Sequence, residues 1–275
     1  MTRLMVTGAT GHLGRRVAAR AAAAGWAVTG TYLSRPGEHA DEQLDVRDAD
    51  AVRKSVERIR PAVVVHAAAG RDRDDWRTNA DGAAHVAVAC AAAGVRLVHV
   101  SSDAVFSGRA VDYDESAEPD PVYRYGASKA AAETAVRAVV PTAAVVRTSL
   151  IVGGGDGGHE TLTHDLVAGR VTGALFTDQI RRPVHVDDLA DALLELAAGD
   201  YAGVLNVAGA DVLSRYDLGV LVARRDGLDP AAIPAARAAD VRPGLPTDVR
   251  LRTERAAALL RTRLRGAQEF MTAAF

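Results

Sequence analysis

From Leu4 to Arg147 five short β-like runs alternate with four helical stretches, and few architectures accept that order. The strand candidates are Leu4 to Thr7, Ala27 to Tyr32, Ala62 to His66, Leu97 to Ser101 and Ala143 to Arg147. Between them lie His12 to Ala24, Ala49 to Arg58, Asn79 to Ala93 and Tyr125 to Val139. Connections of this length permit right-handed βαβ crossovers. The expected fold class is therefore α/β, a doubly wound parallel sheet with helices on both faces.

After Arg147 the pattern loosens. Gly153 to Gly158 is a glycine-rich break, followed by a short strand near Leu175, a helix from Asp187 to Ala198, a strand Val204 to Val207 and a helix from Ser214 to Arg225. This divides the chain into a dinucleotide-binding domain over 1–150 and a smaller substrate-binding lobe over 151–275, some segments of which return to the sheet. The lobe is expected beside the carboxyl ends of the strands, where such folds bind ligands.

Composition excludes several classes. The 275 residues carry a net charge of -2 with no Lys or Arg run, so no basic field is available for nucleic acid. A single cysteine, Cys90, excludes an internal disulfide and reads as a buried small side chain. Apolar stretches break well before the ~20 residues of a membrane span, and the N-terminus enters its first strand too early for a signal peptide. A cytoplasmic protein is expected. Only Lys54 and Lys129 are lysine among 33 basic residues. Arginine matches therefore weigh little and a well-placed lysine weighs much.

Directly after the first strand stands TGATGHLG, in which Gly8, Thr10, Gly11, His12, Leu13 and Gly14 form a turn opening a helix. The order strand, glycines, helix suits a dinucleotide pyrophosphate facing unpaired N–H groups and the positive end of the helix dipole, the signature of a Rossmann fold. The second strand leads into Ser34 and Arg35 where an NAD-selective site usually has an acid. A hydroxyl and a guanidinium there suit the 2′-phosphate of NADPH, with NADH as the alternative. Asp45 and Val46 are candidates to face the adenine.

The chemistry points to Tyr125 and Lys129 in YGASK, four apart on one helical face, so that the ammonium can favour phenolate over phenol. Ser102, in VSSDAVF at the end of the fourth strand, is placed to hydrogen-bond a substrate carbonyl oxygen. Arg181 and Arg182 suit either a substrate diphosphate or a solvated loop. His159, His164 and His185 with their acidic neighbours lack compact metal-ligand spacing, and Asp187 and Asp188 read as residues favoured at a helix start, so no metal site is expected.

These motifs, with Ala67-Ala68-Ala69 after the third strand and Asn79 opening the next helix, resemble the short-chain dehydrogenase/reductases. Within the extended branch that acts on nucleotide sugars, the chain is most similar to the dTDP-4-dehydrorhamnose reductase family. SSDAVFSG, TDQIRRPVHVDDLADALLELA and GVLNVAGADVLSRYDLG extend the likeness over nearly the whole chain. The resemblance implies a catalytic Ser102, Tyr125 and Lys129, a cofactor site that includes Ala67, Ala68, Ala69, Asn79, Tyr125 and Lys129, and substrate contacts from Ser102, Asp103 and Arg182. Asp103-Ala104 stands where sugar-nucleotide dehydratases carry Asp-Glu, so elimination of water loses its catalyst. The segment GGGDGGHETLTHD departs from the family pattern where sugar and nucleotide would be held.

The expectation is an NADPH-dependent ketoreductase acting on a nucleotide-linked 4-keto-6-deoxysugar, with a homodimer as an oligomeric option. Its rivals are a nucleotide-sugar epimerase, a reductase of a non-sugar ketone in secondary metabolism, and a non-catalytic regulatory subunit that keeps the fold.

Overall fold

Seven strands build one sheet in the computed structural model, which describes residues 1–272. They are β1 (Arg3–Thr7), β2 (Ala27–Tyr32), β3 (Ala40–Gln43), β4 (Val63–His66), β5 (Arg96–Val100), β6 (Ala144–Arg147) and β7 (Gly203–Asn206). The order is β3-β2-β1-β4-β5-β6-β7 with every neighbouring pair parallel. Chain direction across the sheet reverses between β1 and β4, the place where a doubly wound sheet opens a crevice at its carboxyl edge.

Alternate side chains on each strand feed opposite faces, as the pleat requires. Leu4, Val6, Val63, Val65, Val98 and Val146 join one core, while Met5, Val64, Leu97 and Val145 join the other. Over the first face lie α1 (His12–Ala23), through Val17, Ala18 and Ala21, and α6, formed by Val186–Ala198, through Leu189 and Leu193. Over the second lie α2 (Ala49–Ile59), α3 (Gly82–Ala93) and α4 (Arg124–Val139), through Val52, Val56, Val86, Cys90 and Val136. Cys90 is fully buried there.

Two differences from the sequence expectation have simple causes. The third helix begins at Gly82 because Arg77–Asp81 forms a wide π turn, and Asn79 lies in that turn. The edge strand β3 carries Asp41 and Glu42, whose polarity conceals it in an apolar-run reading.

After Ile151–Val152, which pairs with Val184–His185, the chain leaves the sheet for α5 (Gly158–Val167), then returns through α6 and β7. It leaves again for α7 (Arg215–Arg225), started by a Ser214–Asp217 capping box. Leu166, Leu175, Ala223 and Ile233 give this outer portion its own apolar cluster. Among the described residues no helix is long and apolar enough to cross a membrane.

Candidate active site

The turn after β1 is shaped by steric exclusion. A methyl group on Gly14 would lie 2.2 Å from the carbonyl oxygen of Gly8, so only glycine lets α1 start this close to the strand. Gly11 occupies the N-cap and offers no side chain to the first helical N–H groups, leaving them for a ligand. His12 and Leu13, from the first turn of α1, reach a cavity of about 1220 Å³ that runs along the carboxyl ends of β4, β5 and β6. Ala67, Ala68 and Ala69 line it from β4, and Ser102 and Asp103 from β5.

Tyr125 and Lys129 enter the same cavity from α4. The helix approaches the turn after β5 so closely that a methyl on Gly126 would stand 2.1 Å from the carbonyl oxygen of Ala104. The glycine in YGASK thus brings Tyr125 beside Ser102. Burial pushes the Tyr125 phenol up from its ordinary value; Arg73 and then the Ser102 hydroxyl oppose this, and Asp103 adds to it. Lys129 is nearly fully buried, which pulls its ammonium down to about 8 against the opposing charge of Glu133.

The ammonium lies differently from what the i, i+4 spacing predicts. Lys129 Nζ donates to the Val100 carbonyl at 2.7 Å, and the cation over the phenol ring is Arg73, its guanidinium carbon 5.5 Å from the ring centroid. The spacing sets the helical face, but four methylenes let the Lys129 charge reach the strand end.

Beside Ser102, Asp103 accepts from Ser149 Oγ at 2.7 Å and lies 3.5 Å from Arg181 Nε. Arg181 also donates to the Thr247 and Pro246 carbonyls. Arg215 and half-buried His159 line the same wall. Burial, then the charges of Arg73 and Arg181, lower the Arg215 guanidinium to about 10. Burial followed by Arg215 and Arg73 holds His159 well below its usual value, hence neutral. The arrangement gathers a phenol, a hydroxyl, an ammonium and several crowded guanidinium groups around one cavity.

Other sequence candidates lie apart from the cavity lining. Ser34 and Arg35 stand exposed just beyond β2. Asp45 is engaged by Arg47, and Val46 packs into the second core. Asn79 holds the loop after β4: its Oδ1 accepts from Gly70 N at 3.0 Å and its Nδ2 donates to the Arg73 carbonyl at 2.8 Å. Arg181 lines the cavity and Arg182 does not. Arg182 follows the short strand Ile180–Arg181 and donates to Thr253.

Among the described residues no three His, Cys, Asp or Glu side chains converge as metal ligands. His164 pairs with Asp226 at 2.7 Å, His185 caps α6, and Asp187 and Asp188 bind Arg16 and Arg265. Sequence reasoning missed Arg73 and Arg215. Arg215 did carry a signal, since a cation in the first turn of a helix opposes the dipole and needs another reason to be there. Arg73 carried none.

The model of the RmlD substrate binding domain matches residues 1–274. The chain belongs to this family. The dTDP-4-dehydrorhamnose reductase of Mycolicibacterium smegmatis is 36% identical to this RmlD-family chain over 243 residues, covering 84% of the chain and 71% of the relative. A probable low-salt glycan biosynthesis reductase of Haloferax volcanii is 31% identical over 259 residues, covering 86% and 84%. Among solved structures, dTDP-4-dehydrorhamnose reductase from Bacillus anthracis in complex with NADP aligns with a TM-score of 0.84 and 25% identity, covering 98% of this chain and 97% of that one.

Proposed function

We propose that the protein is an NADPH-dependent reductase of a nucleotide-linked 4-keto-6-deoxysugar. The observation that carries this is one cavity lined by Ser102, Tyr125 and Lys129 together with His12, Leu13 and Ala67 to Ala69. The uncapped start of α1 and the exclusion of a side chain at Gly14 fit a dinucleotide pyrophosphate, and Ser34 with Arg35 suits the 2′-phosphate. When bound, NADPH supplies a hydride to a carbonyl carbon.

The residues of this chain handle the proton and the position of the substrate. Tyr125 gives its hydroxyl proton to the carbonyl oxygen, which becomes the alcohol, and Ser102 donates a hydrogen bond to that oxygen. Lys129 supplies a buried positive charge beneath the site. Arg181 and Arg215 take the substrate diphosphate, whose negative charge relieves the repulsion between their guanidinium groups. In this reading the portion of the chain outside the sheet after residue 150 forms the substrate lobe.

The test incubates the protein and NADPH with dTDP-, GDP- and UDP-linked 4-keto sugars beside simple ketones, following NADPH absorbance and product together. Stoichiometric loss of NADPH with a keto sugar is expected, and Tyr125→Phe should reduce turnover at least 100-fold with cofactor binding retained. Epimer formation without NADPH loss, consumption of simple ketones alone, or full cellular function of the Phe variant would each replace this reading.

A further inference from the structure

The cation over the ring of the reactive phenol in this chain belongs to a loop arginine. Arg73 lies over the ring face of Tyr125 with 5.5 Å from guanidinium carbon to ring centroid, a cation–π distance. Its backbone is tied down: Asn79 accepts from Gly70 N and donates to the Arg73 carbonyl, so one buried side chain clasps both ends of residues 70–73. Lys129 Nζ meanwhile donates to the Val100 carbonyl.

We propose that Arg73 is a positioning residue for the proton transfer, its guanidinium held over the Tyr125 ring by the Asn79 clasp so that phenolate is favoured there. The inference rests on the reductase reading of the site and adds to it a second cation from a different element.

The groups facing Tyr125 come from three places. The loop after β4 contributes Arg73, the end of β5 contributes Ser102 and Asp103, and the start of α4 contributes Tyr123, whose ring is 6.5 Å away, with Lys129 one turn on. Arg181 and Arg73 both bear on Tyr123. Of these groups Arg73 most strongly opposes the effect of burial on the Tyr125 phenol, ahead of Ser102, while Asp103 works in the opposite direction. A positive charge over the ring favours the phenolate by direct attraction. Arg73 is exposed, so that attraction is open to screening by salt.

The experiment compares Arg73→Met and Arg73→Lys with the unaltered protein in ketone reduction across pH. Reduction needs the phenol, so turnover falls as pH rises through the Tyr125 titration. Loss of the Arg73 charge should move that falling limb of kcat upward by about half a unit to one unit, at the low end for a neighbouring charge because Arg73 is exposed. Arg73→Lys should restore it. Added salt should raise the limb in the unaltered protein and leave it in place in Arg73→Met.

An unmoved limb with a raised KM for the sugar nucleotide would overturn the proposal and make Arg73 an anion contact only. If no ketone is turned over, NMR titration of protein carrying 13Cζ-labelled tyrosine, assigned with Tyr125→Phe, reads the phenol directly. The same upward shift in Arg73→Met is expected, and an identical titration overturns the inference whatever the substrate proves to be. Should Arg73→Met fail to fold, Asn79→Ala, which frees the loop while keeping the charge, must raise the titration in the same direction for the proposal to stand.

Discussion

Glu133 and Arg147 form an ion pair, 2.8 Å from Oε2 to Nη2, with 1% of either side chain exposed. The pair joins three parts of the site. Glu133 lies one turn beyond Lys129 on α4, Arg147 ends β6, and Ser101 Oγ, next to Ser102, donates to Glu133 at 2.5 Å. Arg147 also donates to the Ala117 carbonyl and stacks on Phe106 at 4.9 Å. Helix α4 and the strand end are thereby locked together through charges that have no access to water.

Removing one partner strands the other. Glu133→Ala should destabilise the protein by about 3–5 kcal/mol, the usual cost of an uncompensated buried charge, and denaturant melts would measure it. The double variant Glu133→Met, Arg147→Met should recover most of that loss, because two apolar side chains leave no charge in the core. A double variant no more stable than Glu133→Ala would refute this account of the pair.

A second buried pair predicts sensitivity to acid. His66 and His99 sit side by side on β4 and β5, rings stacked at 5.3 Å, and His66 shares a 2.7 Å hydrogen bond with Thr7. Burial and the Lys129 charge hold His66 down to about 3 and His99 well below its ordinary value. Both are neutral in the fold, whereas the unfolded chain protonates them below about 6.5. Stability is therefore full above that pH and falls as pH drops toward about 3, by roughly 2 kcal/mol per histidine between pH 7 and pH 5. Chemical melts at the two pH values should show the loss, and His99→Leu should shrink it. A pH-independent midpoint would contradict it.

Much of this was legible from the amino acids, and the exceptions have physical causes. Gly14 and Gly126 stand where no Cβ fits, and Lys129 is conspicuous in a chain with one other lysine. Such residues announce themselves because alternatives are sterically or statistically excluded. Arg73 does not, since arginine supplies all but two of the 33 basic residues and nothing local separates this cavity arginine from a solvated one, whereas Arg215 is marked only by its place at a helix start. The direction of Lys129 lies in its side-chain torsions, which spacing does not encode.

The cradle makes its own prediction. Gly14→Ala forces the start of α1 away from Gly8 by removing a contact distance that a methyl cannot share. Overpacking of this kind costs ~1–3 kcal/mol, and the displaced N–H groups no longer converge on a pyrophosphate. NADPH affinity, followed by nicotinamide fluorescence, should fall at least tenfold while far-ultraviolet circular dichroism stays unchanged. Unaltered affinity would mean that the dinucleotide does not sit on this turn.

The segment that departs from the family pattern contains a clasp of its own, which ties the glycine loop to α5, α7 and α1. Glu160 is fully buried on α5, accepts from Gly153 N and Gly157 N at 3.2 Å each, and pairs with Arg225 of α7 at 2.6 Å. One carboxylate thus fixes both ends of the glycine loop to the outer helices, while Asp156 in the same loop pairs with Arg15 of α1. Glu160→Gln keeps two acceptor lone pairs but gives up the charge that Arg225 requires. Hydrogen exchange of residues 153–157 should quicken, and KM for the nucleotide sugar should rise severalfold with kcat less affected, because the loop carries the chain into Gly158 and His159 of the cavity wall. Equal losses in kcat and kcat/KM with exchange unchanged would show that Glu160 acts on the chemical step and not on the loop.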